Sequence, residues 1–158
     1  FFFKQKTAYE IPKRDWSSDV CSSDLVVEAK KPDAVAFMYA VPAAGPHGLD
    51  FDPDTNRLFC ACDAAQLFAL DAANGRILGE AALSGTPDVI WFNRGRRQLY
   101  VAVGDPGVVD VFDTRGLKRI GRIETERGAH TTALSASGDW LYAFLPATHR
   151  AALYSIEP

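Results

Sequence analysis

From His47 onward the chain alternates apolar and polar residues in short runs, and the same run returns at a fixed distance. HGLDFDPDTNRLFCA from His47, DVIWFNRGRRQLYVA from Asp88 and HTTALSASGDWLYAF from His130 superimpose at spacings of 41 and then 42 residues. Leu49, Ile90 and Thr132 coincide, as do Phe51, Phe92 and Leu134, and then Phe59, Tyr100 and Tyr142. Apolar residues at every second position predict half-buried β-strands, and the spacing of three and four that marks an amphipathic helix is missing. A repeat of this length makes the repeat, rather than the chain, the structural unit.

Each unit predicts a short alternating strand, a polar turn, a second strand rich in aromatic and β-branched residues, a loop and a third strand. The turns fall at Asp52 to Asn56, Asn93 to Arg97 and Ser135 to Asp139, where Pro, Asn, Asp, Ser and Gly supply the dihedral angles of a tight reversal. Third strands are predicted over Gln66 to Asp71, Val108 to Asp113 and Ala151 to Ile156. Fourth strands follow over Arg76 to Ala82 and Arg119 to Glu124, reached through Asn74-Gly75 and Arg115-Gly116, where glycine permits a positive φ. Four antiparallel strands in about 40–45 residues make one blade of a β-propeller.

The expected fold is therefore all-β: a partial β-propeller of about three blades of four antiparallel strands each, with the ring not closed. Residues 26–44 hold the end of one blade, with strands over Val26 to Ala29 and Val35 to Val41. Residues 45–84 and 85–127 are whole blades, and 128–158 an incomplete one. An open wedge of this kind leaves an apolar blade face and unpaired strand edges uncovered, both of which favour association.

The first 25 residues do not share the pattern. FFFKQKTAYEI and RDWSSDVCSSDL each back-translate, in one frame, to the two constant parts of an Illumina-type sequencing adapter. Residues 1–25 are accordingly read as a non-native, adapter-derived segment, expected to be disordered, and are set aside before fold reasoning. They contain four basic and four acidic residues, so the formal net charge of the remainder stays at -3.

That weak acidity matters for partners. A nucleic-acid-binding domain carries a basic face, so nucleic acid is not an expected partner, and Arg94, Arg96 and Arg97 read as a solvated turn. No apolar run reaches the roughly 18–20 residues that a membrane-crossing helix needs. Cys60 and Cys62 fall on one face of a strand. They are too close along an extended chain to make a good disulfide and lack the second ligand pair of a zinc site. They read as small buried residues, and no cofactor or metal site is evident.

The segment RRQLYVAVGDPGVVDVFDTRGLKRIGRI resembles the repeat unit of YVTN-type propellers. PHGLDFDPDTNRLFCAC and GAHTTALSASGDWLYAFLP resemble the first two strands of neighbouring blades in the YncE-like family. The resemblance implies a seven-bladed ring, of which this chain is a C-terminal piece, and a bacterial protein that is periplasmic or secreted. The residues themselves do not report a location. Cys60-Ala61-Cys62 and Ala143-Phe144-Leu145 depart from the family repeat.

Candidate chemistry is positional. Pro46-His47, Pro87-Asp88 and Ala129-His130 occupy one place in successive units, just before the innermost strand. In a propeller that place borders the central channel, so His47, Asp88 and His130 are the candidate ligand-binding residues of its mouth. Imidazole and carboxylate groups there suit a metal or an anionic ligand, or acid–base work near neutral pH. The competing reading gives each of them the structural task of tying a loop between blades. His149 falls outside the register and reads as a loop residue; Asp71 and Asp113 read as turn residues bonding nearby amides. Trp91 and Trp140 are expected to pack between blades.

No nucleophile elbow or phosphate-binding glycine loop is present, and no catalytic residue is singled out. The sequence points to a non-catalytic binding or scaffold module whose ligand is an unknown protein or small molecule. The alternative is a lactone hydrolase, because PHG followed by DPDTNRLF also resembles the seven-bladed propeller lactonases. That resemblance implies channel-mouth histidines that activate water and steady a developing oxyanion.

Overall fold

The computed structural model describes residues 23–27 and 35–157, and the regular structure among them is entirely β. β1 (Ser23–Val27) and β2 (Val35–Ala40) form an antiparallel pair. β3 (Pro46–Asp52), β4 (Arg57–Cys62), β5 (Gln66–Asp71) and β6 (Ile77–Ala82) form a four-stranded meander in chain order. β7 (Pro87–Asn93), β8 (Gln98–Val103), β9 (Val108–Asp113) and β10 (Lys118–Glu124) repeat it. β11 (Thr132–Leu134), β12 (Trp140–Leu145) and β13 (Arg150–Ser155) give a three-stranded sheet. None of the sheets closes on itself, and the chain is a partial β-propeller.

The central strands β4, β5, β8 and β9 are apolar and buried at nearly every position, and each whole blade accordingly packs on both faces. Phe59, Ala61, Leu67 and Ala69 of the β3–β6 blade meet Ile90, Leu99, Val101 and Phe112 of the β7–β10 blade. The opposite face of β3–β6, with Cys60, Cys62, Phe68 and Leu70, meets Tyr39 and Val41. Tyr100, Val109 and Val111 meet Leu141, with Leu134 and Tyr154 alongside. Cys60 and Cys62 are both buried, with their sulfurs 3.9 Å apart, far beyond a disulfide bond length.

Three local expectations change. β1 starts at Ser23, inside the segment read as non-native, because pairing with Met38 to Ala40 satisfies the backbone of Ser23 to Leu25; residues 1–22 and Ala29 lie outside the described residues. Gly75 does take a positive φ of 73°, but in the next blade the left-handed residue is Leu117 (φ 51°), not Gly116. The Leu117 side chain is buried in the junction between the two whole blades. Burying a leucine contributes about 2 kcal/mol, which offsets the roughly 1–2 kcal/mol steric cost of that conformation.

The third change concerns the arginines of the β7–β8 turn, which reach across to other blades; Arg96 and Arg97 are largely covered in doing so, while Arg94 stays mostly exposed. Arg97 reaches the fully buried Asp52 carboxylate at 3.1 Å. Arg94 donates from Nε to Asp54 at 2.8 Å, and this bond holds the Asp54 carboxyl below its ordinary value. Arg96 points the other way and donates to the carbonyls of Ile156 (2.7 Å) and Glu157 (2.8 Å). Asp71 and Asp113 behave as expected, accepting from the amides of Ala73 and Arg115, each at 2.9 Å.

Candidate functional site

The inner strands β3 and β7 run against each other, and β7 in turn meets β11. One side chain at the same repeat position makes each link. Asp50 accepts the Phe92 amide at 2.6 Å, and Trp91 donates its indole N–H to the Thr132 carbonyl and hydroxyl, both at 3.2 Å. The approach of β3 to β7 is close enough to require glycine. A methyl group at Gly48 would lie 2.5 Å from the Asp88 carbonyl oxygen and 2.7 Å from Ile90 Cγ2.

At the start of both strands the ladder slips. The pairing of β3 with β4 shifts between Pro46 and Gly48, and that of β7 with β8 between Pro87 and Ile90. Bulges of this kind release a side chain from the alternating pattern and re-aim it, and the residues released are His47 and Asp88. His130 sits just ahead of β11, with its ring about one van der Waals contact (3.5 Å) from where a side chain on Gly104 would begin.

The structure brings all three predicted positions together. Asp88 lies between two imidazoles, with Oδ1 3.5 Å from His47 Nε2 and Oδ2 3.7 Å from His130 Nε2. His47 Nδ1 is 3.0 Å from Asp63 Oδ1, so both nitrogens of that ring face carboxylate oxygens, which accept and do not donate when ionised. The two histidines and Asp63 are about half exposed and Asp88, between the rings, is exposed to 35%. His47 and Asp88 border an open cleft of about 310 Å³ lined by residues of β3 and β7, including Asp50, Ile90 and Trp91. No group of three or more metal-ligating side chains with metal-binding geometry is present among the described residues.

Asp63 escaped the sequence reading although a signal existed. It falls in the β4–β5 loop, and Asp105 falls 42 residues on in the β8–β9 loop. Asp63 pairs with His47 at the start of its own blade's inner strand, and Asp105 with Arg127, in the loop before the next inner strand, at 2.6 Å. Glu126, in the loop that carries His130, accepts from Thr148 Oγ1 and from the Ala147 (2.9 Å) and Thr148 (3.2 Å) amides. The Thr148 hydroxyl is the main cause holding the Glu126 carboxyl below its usual range. His149 lies in the β12–β13 turn with φ 54° and does not join the cluster.

No protein-family model matches the chain, and no curated protein matches it in sequence. Among solved structures it is similar to the hydrazine synthase of Kuenenia stuttgartiensis, with a TM-score of 0.71 and 19% identity, over 86% of this chain and 44% of that one. It is likewise similar to a chain of the mitotic checkpoint complex, with a TM-score of 0.75 and 14% identity, over 87% of this chain and 44% of that one. Both are propeller-type folds, and this chain spans less than half the length of either. In all, 924 chains match, so likeness at this level defines the fold and leaves activity to the site. No helix among the described residues is long and apolar enough to cross a membrane.

Proposed function

We propose that this chain is part of a YncE-like propeller whose channel mouth binds a polar ligand, or a loop of a protein partner, without catalysing its reaction. The observation that carries this reading is the Asp88 carboxylate set between His47 and His130 beside an open cleft. Donors and acceptors from two blades and the loop that opens a third converge there, while Asp50 and Trp91 are occupied in holding the blades. With Asp63 and Asp88 in the arc, a ligand bearing ammonium or hydroxyl donors suits it best. The test is a titration of the chain with a lysine-containing tetrapeptide, read by the ring ¹⁵N shifts of His47 and His130. Saturable shifts in both, lost in Asp88→Asn, are expected; two rings that do not respond would sink the reading.

Lactone hydrolysis is the second reading, favoured by the orientation of His47 by Asp63, the arrangement that positions a general base. Against it, the other nitrogen of that ring already faces Asp88 at 3.5 Å, where an attacking water would have to donate. Hydrolysis of γ-butyrolactone at the background rate, unchanged in His47→Ala and His130→Ala, is the expected result. Turnover above background that both substitutions abolish would replace binding with catalysis.

A further inference from the structure

The loops that lead into β7 and β11 share a device just ahead of the histidine–aspartate cluster. Leu83 and Thr125, at one repeat position, donate their amides back to the Ala65 and Gly107 carbonyls of the blades they leave, each at 2.9 Å. The next residue in each loop, Ser84 or Glu126, bonds forward to the blade ahead. Ser84 gives its amide and its hydroxyl to the two carboxylate oxygens of Asp110 on β9, both at 2.7 Å. Arg119 (3.2 Å) and Arg122 (2.6 Å) of β10 donate to the same hydroxyl. Glu126 accepts from the Thr148 hydroxyl and from the amides of Ala147 and Thr148 in the β12–β13 turn. Four residues beyond Ser84 and Glu126 stand Asp88 and His130.

The two sides of these bonds are matched blade by blade. Asp110 is fully buried at a repeat position that holds Phe68 in the blade before and Ala152 in the blade after. A buried carboxylate is costly unless it is paired, and its oxygens meet the Ser84 donors and the Arg119 and Arg122 guanidinium groups. Where the blade ahead has Ala152 in that place, the loop supplies the carboxylate itself, as Glu126. The loop before β3 has neither: Ala43 stands at the equivalent position, packed on the apolar cluster that includes Phe68, and His47 is met directly by Asp63. We infer that Ser84 and Glu126 are positioning residues, fixing the loops that aim Asp88 and His130 as Asp63 aims His47. Each loop is pinned at adjacent residues to the blade behind and the blade ahead, so the spacing of carboxylate and imidazoles follows the packing of the blades. Their value to the protein rests on the ligand-binding role proposed for the cluster, whereas the distances they set do not.

Through-space NMR contacts of the Asp88 β-protons with the His47 and His130 rings, recorded on the full chain, test this. Glu126→Ala is expected to lose the His130 contact and keep the His47 contact, whereas Ser84→Ala, which frees the loop of Asp88, weakens both. The conservative changes Glu126→Gln and Ser84→Thr retain an acceptor and a hydroxyl, and both contacts are expected to survive them. Thr148→Val, made in the blade ahead, weakens the His130 contact as well and decides the matter if circular dichroism shows Glu126→Ala to be unfolded. Binding of the lysine-containing tetrapeptide is expected to weaken at least about tenfold in both alanine variants, as loss of one hydrogen bond to a charged group does. A chain that shows the contacts and their stated responses but ignores the peptide removes the ligand-binding role and upholds the positioning. A His130 contact that survives both Glu126→Ala and Thr148→Val, Asp88 contacts unchanged in Ser84→Ala, or joint loss of both contacts in Glu126→Ala would overturn it.

Discussion

Replacing Phe59 by alanine separates a blade junction from a merely apolar strand. Phe59 is fully buried on the face of β4 that meets β7–β10, with its ring centroid 5.6 Å from that of Phe92. Truncating a buried phenylalanine costs about 3–5 kcal/mol, the lost transfer energy plus the cavity left behind. Single domains have about 5–15 kcal/mol in all, so the loss is a large fraction of the total. Tyr142 holds the same repeat position but lies exposed. Its truncation should stay within about 0.5 kcal/mol, as surface changes do. Urea unfolding followed by tryptophan fluorescence gives both numbers. Equal costs for the two substitutions would refute the claim that they occupy covered and uncovered copies of one face.

The remaining predictions concern ties between blades. Gly48→Ala forces β3 away from the Asp88 carbonyl; loss of the through-space contact between the His47 and Asp88 side chains in NMR spectra is expected, together with destabilisation of at least about 1 kcal/mol. Arg97→Ala removes the guanidinium from the buried Asp52 carboxylate, which keeps only the Asp54 amide and Thr55 hydroxyl as donors, and should cost about 3 kcal/mol, whereas adding Asp52→Asn recovers part of that loss in denaturant unfolding. Glu126 has a depressed folded-state pKa, so its stabilisation is present above the unfolded value of 4.5 and is lost as pH falls through the lower folded value. Hydrogen exchange at the Ala147 and Thr148 amides should therefore quicken in that acid range, and Glu126→Gln should remove the pH dependence.

The strands were legible because a two-residue period with a 41- or 42-residue return leaves little freedom in where they fall; β5 and β9 begin and end as read. Convergence of His47, Asp88 and His130 was legible for the same reason, since equivalent positions in radially arranged sheets face one axis. What brings His47 and Asp88 there was not. The two bulges depend on the register between strands, which a single strand does not encode. Asp63 was missed because its partner lies across a loop, although its recurrence at Asp105 was available. The arginines of the β7–β8 turn looked solvated because their acceptors, Asp52 and the Ile156 and Glu157 carbonyls, belong to blades on either side. Trp140 was expected between blades and is exposed, because no sheet among the described residues covers its face.

Nuclear Overhauser contacts between consecutive blades test the radial arrangement most directly. The account predicts cross-peaks from the Phe59 ring to the Ile90 methyls, and from the Trp91 indole proton to Thr132, within one spectrum of the full chain. Cross-strand contacts inside each sheet without either of these, or a helical pattern of sequential contacts anywhere between Pro46 and Ser155, would contradict it.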